Sequence, residues 1–388
     1  MSADVAGVRM ASVPPPPLAV RASRPRGYRE LIAIVAVQSF GNQMAGSFWL
    51  VYLVSPPHSL DFRVAVLMWL VSFLVASLLV VGISRGRPIR ATTYMSIGLG
   101  IMALGHFSFL VLSPLAVIGT AGLAFGLYLP LFWLPLNSLL VKETSRANRA
   151  GRLAGVTATF TTIAVVAPAV GGYLALRIGY PLMFALGGMI VLANLGLVRL
   201  LAQREESLVF KIDLRRMGRR TALAFSGQGG VEGLLFAATP LASFLFTTNA
   251  FELGLLFALF SLAAGVAAVV LGRISDRVRA RMPFLILGPV LSVPACVLAF
   301  AQRDLGTFAF AVGWLSMTSA VAPSFIYTII VDRSEDAVPT VTATREFLLN
   351  VSRAAALSGG LILLAAGGGV YALYLLVGGV ILLEALAA

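Results

Sequence analysis

The sequence predicts an all-α membrane protein of twelve spanning helices, built as two pseudo-symmetric bundles of six, and three observations predict it. First, 59% of the 388 residues are hydrophobic and only 12% are charged, with a mean hydropathy of +0.93; soluble domains carry about twice that charge. Second, about twelve apolar runs follow one another, each of roughly 20 residues and so able to cross the ~30 Å hydrocarbon layer as a helix. Third, landmarks of the first half recur in the second at nearly one offset.

The first run, 31–54, follows a leader rich in Pro and Arg (Pro14–Arg29), so residues 1–29 read as a disordered cytoplasmic tail without a cleavable signal peptide. Runs 62–83, 91–112, 114–141, 152–176 and 180–202 complete a first bundle over 30–202. The basic segment 203–220 reads as a cytoplasmic linker. Runs 221–247, 252–272, 282–301, 304–331, 340–366 and 369–388 then make a second bundle over 221–388.

Net charge +13 would suit nucleic acid, but the placement of the charges excludes it. Basic residues cluster before the first run (Arg9, Arg21, Arg24, Arg26, Arg29), after the second (Arg85, Arg87, Arg90), after the fourth (Lys142, Arg146, Arg149, Arg152) and after the sixth (Arg199 to Arg220). They return at Arg273–Arg281 and Arg333, whereas the alternate loops hold only Arg63, Arg177 and Arg303. Charge that changes sides with every helix is the positive-inside pattern. It places both termini in the cytoplasm, the chain in the cell membrane as a multi-pass protein, and lipid rather than nucleic acid around it. The single Cys296 sits within an apolar run, so no disulfide framework is implied and it reads as packing. No metal-ligand constellation, no nucleophile with a base and no phosphate-cradling loop occurs. The expectation is therefore a protein that is not an enzyme, holds no cofactor and draws its energy from a gradient.

The repeat is visible residue by residue. Gln38-x-x-x-Asn42 in the first run is matched by Gln228-x-x-x-Glu232 in the seventh, 190 positions on. Ile83-Ser84-Arg85 matches Ile274-Ser275-Asp276 at offset 191. Pro130-x-Phe132 matches Pro323-x-Phe325, and Arg152 matches Arg345, both at 193. Six spans separate equivalents, so the halves run parallel.

Gly272-Arg273-Ile274-Ser275-Asp276-Arg277-Val278-Arg279-Ala280-Arg281 reads as a cationic turn between the eighth and ninth runs. It resembles the signature Gly-x-[Leu/Ile]-[small]-Asp-Arg-x-x-[basic] of the major facilitator superfamily. Pro168-Ala169-Val170-Gly171-Gly172-Tyr173 is similar to that family's fifth-helix Gly-Pro-x-x-Gly-Gly motif, with Ala167 in place of its leading Gly. The resemblance covers the chain from about Tyr28 onward and implies a secondary transporter, monomeric by default, whose first, fourth, seventh and tenth helices line a cavity for a small-molecule substrate. It also implies that Asp276, in a gating loop with Arg277, sits close to Arg149 and Arg152 at the start of the fifth helix. The first-half equivalent of Asp276 is Arg85, and the eleventh helix opens with Arg345 and Glu346, so a charge-swapped contact Arg85–Glu346 is expected; both contacts would hold the cytoplasmic side closed.

Polar residues at membrane depth are costly unless they face water or a partner, which singles out candidates independently. Glu232 lies about eleven residues into its run, near mid-bilayer at ~1.5 Å per residue, with Gln228 one turn earlier. Glu346, Asn350 and Arg353 follow one stripe of the eleventh helix. Arg353 would pair with Glu232 across the cavity or hold an anionic substrate, and protonating Glu232 would free it. The plainer alternatives are a packing network and a fixed ion pair. Gln38, Asn42 and Asn137 add uncharged hydrogen-bonding groups, and Tyr128, Trp133, Trp314, Phe325 and Tyr327 add aromatic surface. His106, on a peripheral helix, reads as packing. These features favour proton-coupled efflux of a neutral or amphipathic organic compound. Uptake of a small metabolite or monoanion held by Arg353 is the alternative, and a transport-inactive scaffold or sensor the second.

Overall fold

The chain folds into helices almost throughout because in hydrocarbon a helix satisfies its own backbone groups. The computed structural model describes residues 25–143, 149–202, 207–278, 282–321, 326, 330 and 337–387; at 25, 26, 149–151, 153, 154, 157, 202, 269, 271–278, 282–284 and 387 it describes the main chain alone. In the first half these are α1 (Pro25–Gly46), α2 (Trp49–Val54), α3 (Phe62–Ile83), α4 (Ala91–Val111), α5 (Pro114–Lys142), α6 (Arg149–Ile178) and α7 (Tyr180–Ala202). The short α8 (Leu214–Met217) precedes α9 (Arg219–Phe244), α10 (Ala250–Val278), α11 (Met282–Ala301), α12 (Leu305–Ser319), α13 (Val338–Ala365) and α14 (Leu373–Ile381), the last flanked by 3-10 turns at Val370–Ala372 and Leu382–Ala387.

Helix ends follow local chemistry. Asp61 caps α3, accepting from the Arg63 amide at 2.8 Å and gripping its guanidinium, and these bonds hold its carboxyl down at about 2. Asp304 caps α12 through the Thr307 amide at 2.9 Å. α1 stops at the Gly46–Ser47 pair, where Ser47 Oγ turns back to the Gln43 carbonyl at 2.8 Å.

Seven of the described helices are by themselves long and apolar enough to cross a bilayer: α3, α4, α5, α7 and α13, with 158–178 of α6 and 250–268 of α10. Their outward faces carry bare apolar side chains, including Leu78 (73% exposed) and Val111 (80%), a surface suited to lipid and not to water.

The two halves repeat in their packing. α1 packs on α6 and α7, α3 on α5, and α4 on α5 and α7; in the second half α9 packs on α13 and α14, α10 on α12, and α11 on α12 and α14. Replacing each helix by its counterpart six spans on converts the first set into the second. The halves meet chiefly through α6 on α10 and α3 on α13, two contacts that the same replacement exchanges. That is the pattern of two bundles related by a twofold along the membrane normal.

Two strands stand outside the all-α expectation. β1 (Arg85–Arg90), from the loop after α3, pairs antiparallel with β2 (Ser207–Lys211), from the segment joining the halves, with Ile89 opposite Leu208 and Arg90 opposite Ser207. Ser207-Leu208-Val209-Phe210-Lys211 alternates exposed and buried, the period of a strand with one face covered. Leu208, Phe210 and Ile89 bury their side chains against Val80 and Ile83 of α3, Leu131 and Leu134 of α5, and Ala343 of α13. The Asp213 amide then donates to Thr344 Oγ1 at 2.9 Å. The segment expected as a plain linker thus clamps elements of both halves at one end of the molecule.

Other expectations shift. α1 begins at Pro25, so residues 25–29, expected in a disordered tail, are helical. The first span is broken at Ser47–Phe48. α10 continues to Val278, so the turn expected from Gly272 starts later.

Candidate functional site

Glycines on α9 bring the site together. A Cβ at Gly229 would stand 2.5 Å from the Leu349 carbonyl oxygen, and one at Gly233 2.6 Å from that of Arg353. This Gly-x-x-x-Gly strip lets the main chains of α9 and α13 touch. Gln228 and Glu232, interleaved with the glycines, then lie within reach of side chains from α13.

Glu232 is held by two side chains through three hydrogen bonds. Gln228 Nε2 donates to Glu232 Oε1 at 2.7 Å, and Arg353 Nε donates to Glu232 Oε2 at 3.0 Å with Nη2 bonded to the same oxygen. Arg353 Nη1 donates to Asn350 Oδ1 at 2.8 Å, while Asn350 Nδ2 donates to the Glu346 carbonyl at 2.8 Å. Three of the guanidinium's donors are therefore committed and its charge is neutralised in place. The Glu232 side chain nevertheless remains 32% exposed, against 11% for Arg353.

The pair lies against the first half. The Arg353 guanidinium stands 5.6 Å above the Phe73 ring of α3. Phe236, one turn beyond Glu232, lies 4.9 Å from Trp69, 5.8 Å from Phe73 and 6.4 Å from Phe125. In the first half Gln38 Nε2 bonds to Tyr128 Oη, and Tyr128 stacks on Phe132 at 5.4 Å. The ion pair thus sits among aromatic rings where α3 and α5 meet α9 and α13. It forms between neighbouring helices of one half, not across the cavity as the sequence suggested, because the glycine strip draws α9 onto α13. Introducing a side chain there, as Gly233→Val, is expected to cost about 1–3 kcal/mol by overpacking and to separate Glu232 from Arg353. Thermal unfolding of the purified variant measures the first effect, and an unchanged melting profile would count against the close contact.

The remaining candidates divide. Asn42 and Asn137 are half-buried, and Asn42 Oδ1 has no hydrogen-bond partner. Trp133 packs edge-on against Phe132 and Phe160. Arg152 is tied within the first half, to the Glu143 carbonyl and over the Tyr28 ring at 5.2 Å. Glu346 takes Arg345 at 2.7 Å, whose guanidinium lies 5.6 Å above the Phe225 ring. Arg85 instead lies exposed in β1 beside Lys211. The expected Arg85–Glu346 contact is thus replaced: strand pairing carries Arg85 to the surface, and the adjacent Arg345 reaches the carboxylate first. Tyr327 and Phe325 lie outside the described residues, as do the side chains of Arg149, Asp276 and Arg277, so the Asp276 contact lies outside them too. His106 is fully buried, edge-on to Trp49 at 5.2 Å, as packing requires. Trp314 packs on Phe310. Among the described residues no group of three His, Cys, Asp or Glu side chains could hold a metal.

At the end opposite the strands, Asp61, Phe62 and Arg63 of the first half face Leu245, Leu364 and Gly367–Val370 of the second across an open cleft of about 460 Å³. Two deep polar residues stand outside the sequence-based candidates: Asn194, fully buried with Nδ2 donating to the Ile34 carbonyl at 2.9 Å, and Glu384, 1% exposed where its turn meets α9 at Gly227. Glu384 is the lone carboxyl of the final apolar run, which is a signal by itself, but a position so near the end of a run leaves its depth open.

Residues 221–388 match the model of the Major Facilitator Superfamily. No curated protein matches the chain. Among solved structures it is similar to a POT family transporter in complex with 5-aminolevulinic acid, at 9% identity, covering 94% of this chain and 95% of that one with a TM-score of 0.70. A POT family transporter in complex with a thioalcohol-conjugated peptide matches at 10% identity, 94% and 95% coverage and a TM-score of 0.72. A peptide transporter POT in complex with sulfate matches at 12% identity, 94% and 93% coverage and a TM-score of 0.72. At such identities the likeness is one of fold.

Proposed function

We propose that the chain is a transporter of the Major Facilitator Superfamily, whose model residues 221–388 match and whose fold is supported along nearly the whole length by similar solved transporters, and that it moves a small organic solute by alternating access, driven by protons through Glu232 and Arg353. The observation that carries the reading is the half-exposed Glu232 locked to Arg353 on the face of α9 that meets the other half. While the pair is intact the site offers no net charge and a wall of Phe73, Trp69, Phe125 and Phe236, which suits a neutral or amphipathic compound. A proton on Glu232 breaks the pair, releases a guanidinium and alters what the site holds. Efflux against protons is the first reading. The second, proton-linked uptake of a monoanion, is favoured by the freed Arg353, whose planar donors fit one carboxylate, and by the acid seen in a similar structure.

Closure of the strand-bearing end falls to the β1–β2 pair and the apolar cluster beneath it, which take the place of the expected Arg85–Glu346 contact. The protein works in the cell membrane as a single copy, with both termini on the strand-bearing, cytoplasmic side.

The test uses purified protein in proteoliposomes with an imposed pH gradient and a panel of neutral, cationic and monoanionic solutes. Wild type is expected to accumulate one class against its gradient, and the direction of movement separates the two readings. Glu232→Gln is expected to lower gradient-driven accumulation at least about fivefold, the low end of a coupling between sites, while exchange of solute across the membrane persists. Intact accumulation in that variant would remove Glu232 from coupling.

A further inference from the structure

The strand-bearing end carries a positive charge that its own residues do not balance. Residues 85–90 and 207–220 hold eight Lys or Arg against one acid, Asp213. Asp213 is committed to α8, where its Oδ1 accepts from the Arg216 amide at 3.0 Å. Arg85, Arg87, Lys211, Arg215, Arg219 and Arg220 are all exposed. Among the described residues none of these six is held in an ion pair.

Local structure disfavours several of these positions. Arg85 and Lys211 are direct cross-strand partners. A Cβ added at Gly86 would stand 3.3 Å from Lys211 Cε, so the lysine chain lies back along β1. Like charges set opposite one another weaken a two-stranded ribbon. Arg219 and Arg220 open α9, whose first turn has no acid, although the helix dipole disfavours cations there. Cations kept at such positions, apart from any carboxylate, call for anions supplied from outside the chain.

The neighbouring side chains identify those anions. Val209, on the outer side of β2, and Leu214, opening α8, lie exposed among the cations. One turn inward, Val81 near the end of α3 and Leu223 near the start of α9 are bare apolar side chains of the kind that face hydrocarbon. The cations therefore stand where hydrocarbon gives way to headgroups. A soluble polyanion would gain nothing from the exposed Val209 and Leu214, whereas the boundary of a leaflet takes apolar and cationic groups together. We propose that the outer side of the β1–β2 ribbon, with α8 and the opening of α9, is a docking surface for the anionic phospholipids of the surrounding leaflet. Their phosphates offset the repulsion between Arg85 and Lys211, so an anionic leaflet steadies the ribbon over Phe210 and the cluster beneath it. The surface depends neither on Glu232 nor on the solute carried; only its steadying effect bears on the proposed closure.

The test needs no substrate and uses full-length protein in phosphatidylcholine vesicles. Spin-labelled phosphatidylglycerol is expected to be immobilised at the protein at least about fivefold more readily than spin-labelled phosphatidylcholine, the weight of roughly one cation at an anionic surface. The preference should fade toward about 1 M salt, where charges are screened beyond ~3 Å. Arg85→Gln/Arg87→Gln/Lys211→Gln/Arg215→Gln should remove most of it. Arg9→Gln/Arg21→Gln/Arg24→Gln/Arg26→Gln, which takes the same charge from the N-terminal segment, should leave most of it. Equal losses in the two variants, or no preference in wild type, overturn the surface. Displacement of the labelled lipid by soluble polyphosphate would assign the surface to a free polyanion and overturn the lipid. Should the first variant fail to fold, Arg219→Gln/Arg220→Gln set against Arg21→Gln/Arg24→Gln decides on the same terms. The steadying effect is read separately, on Ala343→Cys, which should react more slowly with a maleimide when phosphatidylglycerol is present. A rate indifferent to lipid while the preference holds would overturn that effect and leave the docking surface standing.

Discussion

Arg353→Ala is expected to cost about 3 kcal/mol, the low end for breaking a buried pair, because it strands a carboxylate that is still 32% exposed but that the fold has built around one partner. Nε and Nη2 are lost to Glu232, Nη1 is lost to Asn350, and the cation over Phe73 is removed, all in one substitution. Most of the cost is the desolvated charge left behind, so it should fall when that charge is removed as well. The double variant Glu232→Gln/Arg353→Met is therefore expected to recover most of the loss, since neutral partners of similar volume often replace a buried ion pair without penalty. Thermal unfolding of the four proteins in one detergent forms the cycle. If the double variant is as unstable as Arg353→Ala, the pair does not couple and Arg353 acts through packing alone. Transport should part from stability here: the double variant folds, yet carries no proton at this position and should not respond to a pH gradient.

Phe210→Ala is expected to be about as damaging, on the order of 3–5 kcal/mol as for other buried Phe truncations. The ring is fully buried, and it lies in the one apolar cluster that joins β1 and β2 to α3, α5 and α13. Its loss should leave a cavity beneath the strands and loosen the clamp between the halves. The background is convenient because the single cysteine, Cys296, is buried. A cysteine placed at Ala343, fully buried in the same cluster, should react slowly with a maleimide in wild type and quickly with Phe210→Ala. Equal reactivity in both would show that the strands do not close this end. A loss of stability confined to the first half would point the same way, to packing within α3 and α5 alone.

Residues on the helices were legible to the extent that periodicity and depth speak for themselves. Glu232 and Arg353 stood out because a charge near mid-bilayer demands a partner, and the stripe Glu346, Asn350, Arg353 was visible as helical spacing. What the spacing could not say is which half supplies the partner. That depended on Gly229 and Gly233 admitting the main chain of α13, a contact between residues more than a hundred positions apart. Glu384 was unreadable for a similar reason: its position near the end of the chain says nothing about burial, which comes from the packing of α9, α11 and α14 around it. The charge-swapped contact Arg85–Glu346 failed where local structure intervened. A loop read as a basic turn became a strand, its Arg85 was carried outward, and Arg345 took the carboxylate.

By itself the sequence determined the medium, the number and order of the helices and their twofold repetition, because the need to satisfy every backbone group in hydrocarbon leaves no other structure for runs so long and so apolar. It also determined that a carboxylate and a guanidinium would lie deep in the second half. Only the tertiary structure decided that these two meet within one bundle, that the segment between the halves pairs as a strand with the loop after α3, and that a second carboxyl, Glu384, is buried against α9. Those outcomes rest on close approaches between distant parts of the chain, and such approaches follow from how helices pack against one another and not from the pattern along any one of them.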